Sequence, residues 1–282
     1  MLPTGIAPVA ENPTMALPLR IISLGWGVQS WTLAAMAALG EIPPVDFAIH
    51  ADTTYEHEST YAHAAKWTPW LEEHGVRVVT VRGKRNDVVR EDWTNSVMIP
   101  AFTNNLSGDR GQMQRQCTHD WKIAPIRAFM TAELKRRGIK KTPGVVQSLQ
   151  GISLDEWKRM RTSDVKYIDN VYPLVDLRMS RADCAAWLER HELDVPCKSA
   201  CTFCPYKKLD SWRTLKRVGG LDWQTAVAAD QIIRNKRPGF ELFVHPALLP
   251  LTEAVAIPED IGAHQLGLFE AEQPCDSGIC MT

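Results

Sequence analysis

Short apolar runs alternate with longer amphipathic segments along the first two thirds of the chain. Runs rich in β-branched residues predict strands, and apolar residues three and four positions apart predict helices. A repeated strand–helix–strand order predicts a parallel sheet, because parallel neighbours need crossover connections, which are nearly always right-handed. The first predicted elements are strands over Leu19–Ser23, Val45–His50 and Val76–Val81 and helices over Val28–Leu39 and Glu58–Glu73.

The pattern continues through the middle of the chain and changes near Lys198. Ser180 is the expected cap of a helix that carries Asp183 as its third residue. The fold class is therefore α/β, with a doubly wound open parallel sheet and a mostly helical C-terminal region that contains cysteines. The further predicted elements are helices over Trp121–Arg137 and Ser180–His191 and strands over Val145–Leu149 and near Val171–Val175.

Composition limits the classes of protein to which the chain can belong. With 282 residues, 45% of them hydrophobic, it can bury a full core. Its 32 Lys and Arg against 33 Asp and Glu give a formal charge of -1, which excludes nucleic-acid binding by overall charge alone. No run is apolar enough for a membrane span, and the N-terminus lacks a signal pattern. We expect a cytoplasmic protein with no membrane partner.

A serine- and glycine-containing segment, SLGWGVQS, joins the first predicted strand to the first predicted helix. Gly25 and Gly27 let the backbone approach an anion, and the N–H groups and dipole of the helix N-terminus attract it. Ser23 and Ser30 add hydroxyl groups. The segment therefore predicts a phosphate-binding loop, and the alternative is a purely structural turn.

This segment resembles the PP-loop of ATP pyrophosphatases and phosphoadenosine-phosphosulfate (PAPS) reductases, written S-G-G-x-D-S. Gly27 and Ser30 match that pattern, whereas Gly25, Trp26 and Gln29 stand in place of its Ser, Gly and Asp. The resemblance implies a Rossmann-like nucleotide-binding domain over residues 18–178, preceded by a flexible arm over 1–17. It also implies ATP or PAPS as cofactor, together with Mg²⁺, and a loop that contacts the nucleotide through Ser23–Ser30.

Further segments match the same family in its order. ADTTYEHESTY is similar to D-T-G-x-x-x-x-E-T-Y, with Thr54 in place of the glycine, and implies that Asp52 and Thr53 contact adenosine or magnesium; a polar turn is the alternative. GISLDEWKRM is similar to G-I-R-x-x-E-S-x-R, with Ser153 in place of the arginine. The positions that match in these two segments are Asp52, Thr53, Glu58, Tyr61, Gly151, Ile152, Glu156 and Arg159.

A third segment, QCTHDWKIAPIRAF, resembles the reductase pattern C-C-x-x-R-K-x-x-P-L, with matches at Cys117, Lys122 and Pro125. The resemblance implies catalytic roles for Cys117 and for Lys122, whose ammonium group would reach an anionic oxygen. The alternative for Lys122 is a solvated lysine at a helix start.

The cysteines indicate metal chemistry. Cys201 and Cys204 form a C-x-x-C, a spacing that suits both zinc and iron–sulfur clusters. The family resemblance adds Cys117 and implies a [4Fe–4S] cluster in a C-terminal region over residues 179–282, with zinc as the alternative. Cys280 is the favoured fourth ligand over Cys197 and Cys275. Cys184 is expected to be a buried apolar residue.

Three functions remain open. The first is an ATP pyrophosphatase that couples adenylation to sulfur transfer, with a possible sulfur-donor protein as partner. The second is a PAPS or adenosine-phosphosulfate reductase that releases sulfite, and the third is a non-catalytic nucleotide-binding adaptor. A nucleic-acid acceptor, tRNA or DNA, is suggested by two basic groups, which consist of Lys135, Arg136, Arg137, Lys140 and Lys141 and of Lys207, Lys208, Arg213, Lys216 and Arg217.

Overall fold

A parallel sheet of five strands forms the centre of the computed structural model, which describes residues 18–83, 97–105 and 107–256. The predicted arm over 1–17 and the tail with Cys275 and Cys280 lie outside the described residues. The strands are β1 (Leu19–Ser23), β2 (Phe47–Asp52), β3 (Val78–Arg82), β4 (Phe102–Asn105), β5 (Arg110–Gln112), β6 (Val146–Leu149), β7 (Ile168–Val171) and β8 (Phe240–Phe243).

The helices follow the strands of the parallel sheet and then dominate the C-terminal part. They are α1 (Val28–Ala38), α2 (Glu58–Glu73), α3 (Ala124–Arg136), α4 (Pro173–Asp176), α5 (Arg181–Arg190), α6 (Leu209–Val218), α7 (Gly220–Ile233) and α8 (Leu251–Ala254). A π-helical turn, Thr118–Ile123, leads into α3, and a 3-10 turn, Leu154–Arg159, follows β6. None of the described helices combines the length and the apolar character needed to cross a membrane.

The strand order of the main sheet is β3-β2-β1-β6-β7, and all its pairs are parallel. The chain winds outward from β1 to β3 and then returns to the other side of β1 with β6. This reversal creates a crevice outside the carboxyl ends of β1 and β6, which is where ligands bind in doubly wound sheets. The predicted α/β class is confirmed, and the predicted phosphate loop follows β1 at this crevice.

Both faces of the parallel sheet are buried. On one face α1, α2 and α5 pack through Trp31, Trp67 and Trp187, and on the other α3 packs through Ile126 and Met130. Such two-sided burial explains why the strands read as nearly continuous apolar runs.

Helix α5 belongs to the core of the parallel sheet. The Ser180 hydroxyl accepts a hydrogen bond from Asp183 N, and the Asp183 carboxylate accepts one from Ser180 N, which confirms the predicted cap. Cys184 has no exposed surface and packs in the same core, as expected. The predicted boundary at residue 178 therefore does not separate two cores.

A second core surrounds a small antiparallel sheet with the order β5-β4-β8, which the sequence did not predict. Trp121, Phe203 and Trp212 fill this core together with apolar residues of α7. Two of its strands come from the middle of the chain and β8 comes from the region predicted to be mostly helical. Residues from both halves of the sequence thus build one body beside the carboxyl ends of the parallel sheet.

The predicted strand near Val171–Val175 is wrong over most of its length. The strand β7 ends at Val171, and Pro173 begins the short helix α4. Proline favours the first turn of a helix, where its missing N–H costs nothing, and it cannot donate to a ladder. The last strand of the parallel sheet therefore ends at Val171, four residues before the predicted end at Val175.

Candidate active site

The predicted phosphate loop leaves β1 and enters α1 at Val28. Ser30 Oγ accepts a hydrogen bond from Gly25 N at 3.1 Å and contacts Gly27 O at 3.3 Å, so the serine side chain shapes the loop. Gly27 occupies the cap position of α1, no side chain caps the helix, and its first turn contains no acid. The first N–H groups of α1 thus have no side-chain acceptor, and an anion at this end would meet them.

The loop faces a cavity that cationic side chains complete. Gly25, Gly27 and Ser30 form one wall, and Gly151 lies opposite. Arg159, Arg181 and Lys198 add positive charge. Arg159 is in the matched motif. Arg181 and Lys198 were not predicted as site residues, because they lie more than 150 positions from the loop. This group of residues is called the phosphate cavity below.

Gly151 lies against the loop so closely that no larger residue fits. A Cβ atom built on Gly151 would stand 2.7 Å from Ser30 N and 2.8 Å from Ser30 Cα. Contacts below 3.0 Å with backbone atoms cannot be relieved by a side-chain rotation. The glycine after β6 therefore permits the close approach of two backbone segments across the crevice.

Two departures from the PP-loop motifs contact each other in the structure. Gln29 Nε2, where the pattern has Asp, donates to Ser153 Oγ at 3.4 Å, where the pattern has Arg. The same nitrogen donates to Glu156 Oε2 at 3.1 Å, and Arg181 Nη1 donates to Gln29 Oε1 at 3.1 Å. The amide of Gln29 and the hydroxyl of Ser153 thus stand where the family pattern has Asp and Arg, and a hydrogen bond joins them. The charged members of this network are Glu156, its ion-pair partner Arg159, and Arg181.

Two other departures from the motifs have a positive φ, which is the backbone conformation that glycine adopts most readily. Trp26 has φ 57° and Thr54 has φ 67°, both in the left-handed region that costs most residues about 1–2 kcal/mol. Trp26 is 1% exposed and packs against Trp31 and His63, with ring centroids 5.9 and 5.8 Å away. Burial of the indole offsets the backbone strain at Trp26.

A second cavity continues from the phosphate cavity along the carboxyl ends of β6 and β7. Gln150 lines both cavities, and Ser23 lies at the end of β1 between them. Arg127 and Arg161 contribute positive charge, Asp164, which is ion-paired with Arg127, contributes negative charge, and Asn170 contributes an amide. We call this space the lateral cavity. Its size, about 280 Å³, is close to the lower end of the range for small-molecule sites.

Asp52 and Thr53, the predicted adenosine or magnesium contacts, are not among the residues that line the phosphate cavity. Asp52 accepts from Tyr61 Oη at 2.8 Å and from Arg82 Nε at 2.8 Å. Burial opposes ionisation of Asp52, but the hydrogen bonds from Tyr61, Thr54 and Arg82 outweigh it and lower its pKa. Thr53 Oγ1 lies 3.3 Å from Cys201 Sγ. Thr53, which follows β2, therefore contacts a cysteine of the C-x-x-C.

Three of the four cysteines predicted as cluster ligands line one cavity. Cys117 comes from the turn before α3, and Cys201 and Cys204 come from the C-x-x-C. Arg115 and Lys122 line the same space, called the thiol cavity here. Burial raises the pKa of Cys117 to about 11 and also raises the pKa of Cys201 and Cys204. In this state the thiols are protonated at neutral pH.

The donor chemistry of the thiol cavity suits an anionic metal–thiolate centre, because two cations stand beside three thiols. The arrangement is incomplete, however. Among the described residues no group of three His, Cys, Asp or Glu side chains is placed so as to hold a metal ion. Cys280 lies outside the described residues, and Cys197 is exposed. The described residues therefore do not form a finished site for iron, zinc or magnesium.

Lys122 forms a buried ion pair with Glu56, an acid that the sequence motifs did not indicate. Its Nζ lies 3.6 Å from Glu56 Oε1, and the two side chains are 13% and 3% exposed. Burial opposes the charge of Lys122, but Glu56 and the neighbouring thiols raise its pKa above the usual value. Thr53 Oγ1 also donates to Glu56 at 3.0 Å. Lys122 is thus a buried ammonium group beside the thiols and not a solvated lysine.

The two basic groups of the sequence lie at opposite ends of strand β2. Arg137 bonds to Asp46 at 2.8 Å, just before β2 begins, and to Glu133 at 2.7 Å. Lys207, in contrast, contacts His57 beyond the end of β2, at 2.9 Å. The groups therefore do not flank one site. The nucleic-acid acceptor stays a prediction.

Comparison with known proteins places few limits on function. No family model and no curated protein matches the sequence. Among solved structures, a PAPS reductase from Candida auris in complex with phosphate is similar, with a TM-score of 0.41 and 14% identity over 63% of this chain and 75% of that chain. At this level of similarity no substrate, cofactor or site residue can be transferred to the present chain.

Proposed function

We propose that the protein is an adenine-nucleotide-binding enzyme of the PP-loop, PAPS reductase-like type, and that the phosphate cavity binds the nucleotide's phosphates. The observation that carries the proposal is the uncapped start of α1 facing Arg159, Arg181 and Lys198 at the reversal point of the sheet. Amide N–H groups and guanidinium groups are the donors that phosphate oxygens prefer.

The nucleoside part is proposed to lie in the lateral cavity. This space is continuous in its lining with the phosphate cavity through Gln150, and Ile126 and Ile168 give it apolar surface for a base. Asn170 and Ser163 offer polar groups for hydrogen bonds. A nucleotide placed this way extends from the end of β1 towards β7.

The proposed reaction is transfer of the adenylyl group of ATP to an acceptor, followed by entry of sulfur. An acceptor oxygen attacks the α-phosphorus, the bond to the bridging oxygen breaks, and pyrophosphate leaves. Arg159, Arg181 and the N–H groups of α1 would stabilise the charge that develops on pyrophosphate. A sulfur nucleophile then displaces AMP from the acceptor. The three thiols of the adjacent thiol cavity favour sulfur chemistry at this place.

Two other functions compete with this proposal. A reductase would use a thiol to attack the sulfate sulfur of PAPS, and the thiol cavity also favours that reaction. An adaptor would bind nucleotide without turnover, which the neutral Gln29–Ser153 pair favours.

The [4Fe–4S] cluster and the sulfur-donor protein stay predictions from the family resemblance, and no step above depends on them. Iron and sulfide analysis of anaerobically purified protein tests the cluster.

Product analysis separates the three functions. With ATP labelled in the β-phosphate we expect labelled pyrophosphate, and with PAPS we expect no sulfite. Arg181→Met should lower the rate of pyrophosphate release about tenfold or more, because it removes a charged hydrogen-bond donor. Arg190→Met, at the exposed far end of the same helix, is the matched control. Sulfite release would establish the reductase instead, and binding without either product would establish the adaptor.

A further inference from the structure

A third cavity adjoins both the phosphate cavity and the thiol cavity. It has a volume of about 540 Å³ and lies between the start of α2, the segment 197–207, helix α6 and the start of α7. Lys198 lines this space and the phosphate cavity, and Cys204 and Tyr206 line this space and the thiol cavity. A molecule in this third cavity, called the acceptor cavity below, would therefore lie within reach of both proposed reaction partners.

A chain of three hydrogen-bonded side chains fixes one charge in the wall of the acceptor cavity. Lys207 Nζ lies 2.9 Å from His57 Nε2, and His57 Nδ1 lies 2.8 Å from Asp222 Oδ2. With the ring neutral, the Nδ1 proton is donated to Asp222 and Nε2 accepts from the lysine. Burial, together with the charge of Lys207, lowers the pKa of His57, which favours this neutral ring. Asp222 also accepts from Glu58 N at 3.1 Å.

Asp222 also lines the cavity, but both of its oxygens accept hydrogen bonds, Oδ2 from His57 Nδ1 and Oδ1 from Glu58 N, while Lys207 lines the same cavity. The other acids of the wall, Glu58 and Asp210, are exposed and lie towards solvent. Lys198 and Lys207 supply the positive charges of the lining, and Cys204 lines the same cavity.

The remaining walls combine apolar surface with hydroxyl groups. Ala200, Leu215 and Val218 provide apolar contacts, and Ser59, Ser211 and Thr214 provide hydroxyls. Small-molecule sites typically have this mixture of mostly apolar lining with a few placed polar groups, at volumes of about 300–1,000 Å³. The charge and the apolar surface together fit a molecule that carries an oxyanion on a short hydrocarbon skeleton.

We propose that the acceptor cavity binds the second substrate of the enzyme, a small organic acid whose oxyanion is received by Lys207, with Asp222 and His57 as residues that position the lysine. This inference rests on the proposed function, because it assigns the acceptor of the same reaction. The cavity holds the acid next to Lys198 at the phosphate side and next to Cys204 at the sulfur side.

The test uses hexanoate, hexanamide and sulfite as probes, each titrated calorimetrically into the full chain in the presence of ATP. We expect saturable binding of hexanoate and much weaker binding of the uncharged hexanamide. Lys207→Met should weaken hexanoate binding about tenfold or more, since it removes a charged hydrogen-bond donor. Thr214→Phe, which fills the cavity from an exposed position on α6, should abolish it. Lys216→Met, an exposed lysine of the same helix, is the control and should leave hexanoate affinity unchanged.

ATP affinity, measured in the same variants, separates the two proposals. Equal hexanoate affinity in Lys207→Met and Lys216→Met would overturn the inference, as would ATP binding by a wild-type protein that takes up neither hexanoate nor sulfite. Binding of sulfite with exclusion of hexanoate would overturn the organic-acid assignment in favour of an inorganic oxyanion. A wild-type protein that fails to bind ATP would instead contradict the proposed function itself.

Discussion

Gly151→Ala is expected to abolish tight nucleotide binding and to destabilise the protein. The new methyl group would stand 2.7 Å from Ser30 N and 3.0 Å from Ser30 Cβ, so the start of α1 would have to move away from β6. Overpacking of this kind costs typically about 1–3 kcal/mol of stability. Displacement of the N–H groups that face the phosphate cavity should weaken ATP binding by about tenfold or more, the loss expected for misplaced charged hydrogen bonds.

A second glycine provides the matched control for this variant. A Cβ atom on Gly111 would lie 3.0 Å from Thr103 Oγ1, which is a side-chain atom on the small antiparallel sheet and remote from the loop. Gly111→Ala should therefore leave ATP affinity unchanged. Nucleotide affinity in Gly151→Ala equal to that of Gly111→Ala would show that the close approach of Gly151 and Ser30 has no part in binding.

Lys122→Met is expected to be the most destabilising change in the thiol cavity. Glu56 is 3% exposed at its side chain, and loss of the lysine leaves its carboxylate buried without the cation at 3.6 Å. Removing one partner of a buried ion pair costs about 3–5 kcal/mol, because the remaining charge has lost its compensation. The free energy of unfolding, measured by denaturant titration, should fall by an amount in this range.

The double variant Lys122→Met/Glu56→Gln tests the cause of that loss. Glutamine keeps an oxygen that can accept from Thr53 Oγ1 and removes the uncompensated charge. We expect the double variant to recover most of the stability lost in Lys122→Met. A double variant as unstable as the single one would mean that Lys122 stabilises the protein by packing and not by neutralising Glu56.

Sequence patterns located the parallel sheet because its strands and helices carry strong apolar periodicity. β1 is found over Leu19–Ser23 as predicted, and α2 over Glu58–Glu73. The antiparallel sheet escaped prediction because β4 and β5 are short and largely polar, with the sequences FTNN and RGQ. β4 pairs with the distant strand β8 as well as with β5, and Phe102 of β4 is buried, so these contacts lie beyond any local pattern.

The site was predictable where a motif determines backbone position and unpredictable where distant side chains meet. Gly27, Ser30 and Gly151 lie together as their motifs implied. Nothing in the sequence shows that Trp26 takes a left-handed conformation, because tryptophan normally avoids it. Arg181 and Asp222 reach Gln29 and His57 across 152 and 165 positions, and only the fold brings them there.

The central claim, that the loop from Ser23 to Ser30 binds the phosphates of an adenine nucleotide, is tested most directly by calorimetric titration of MgATP into the wild type and Gly27→Asp. The carboxylate would place a negative charge at the cap of α1, where the phosphate is expected. Gly27→Ala is the control, because its Cβ would meet only the rotatable Ser199 hydroxyl, at 2.9 Å. We predict saturable binding by the wild type, weaker but measurable binding by Gly27→Ala, and none by Gly27→Asp. Equal ATP affinity in the wild type and Gly27→Asp would contradict the account.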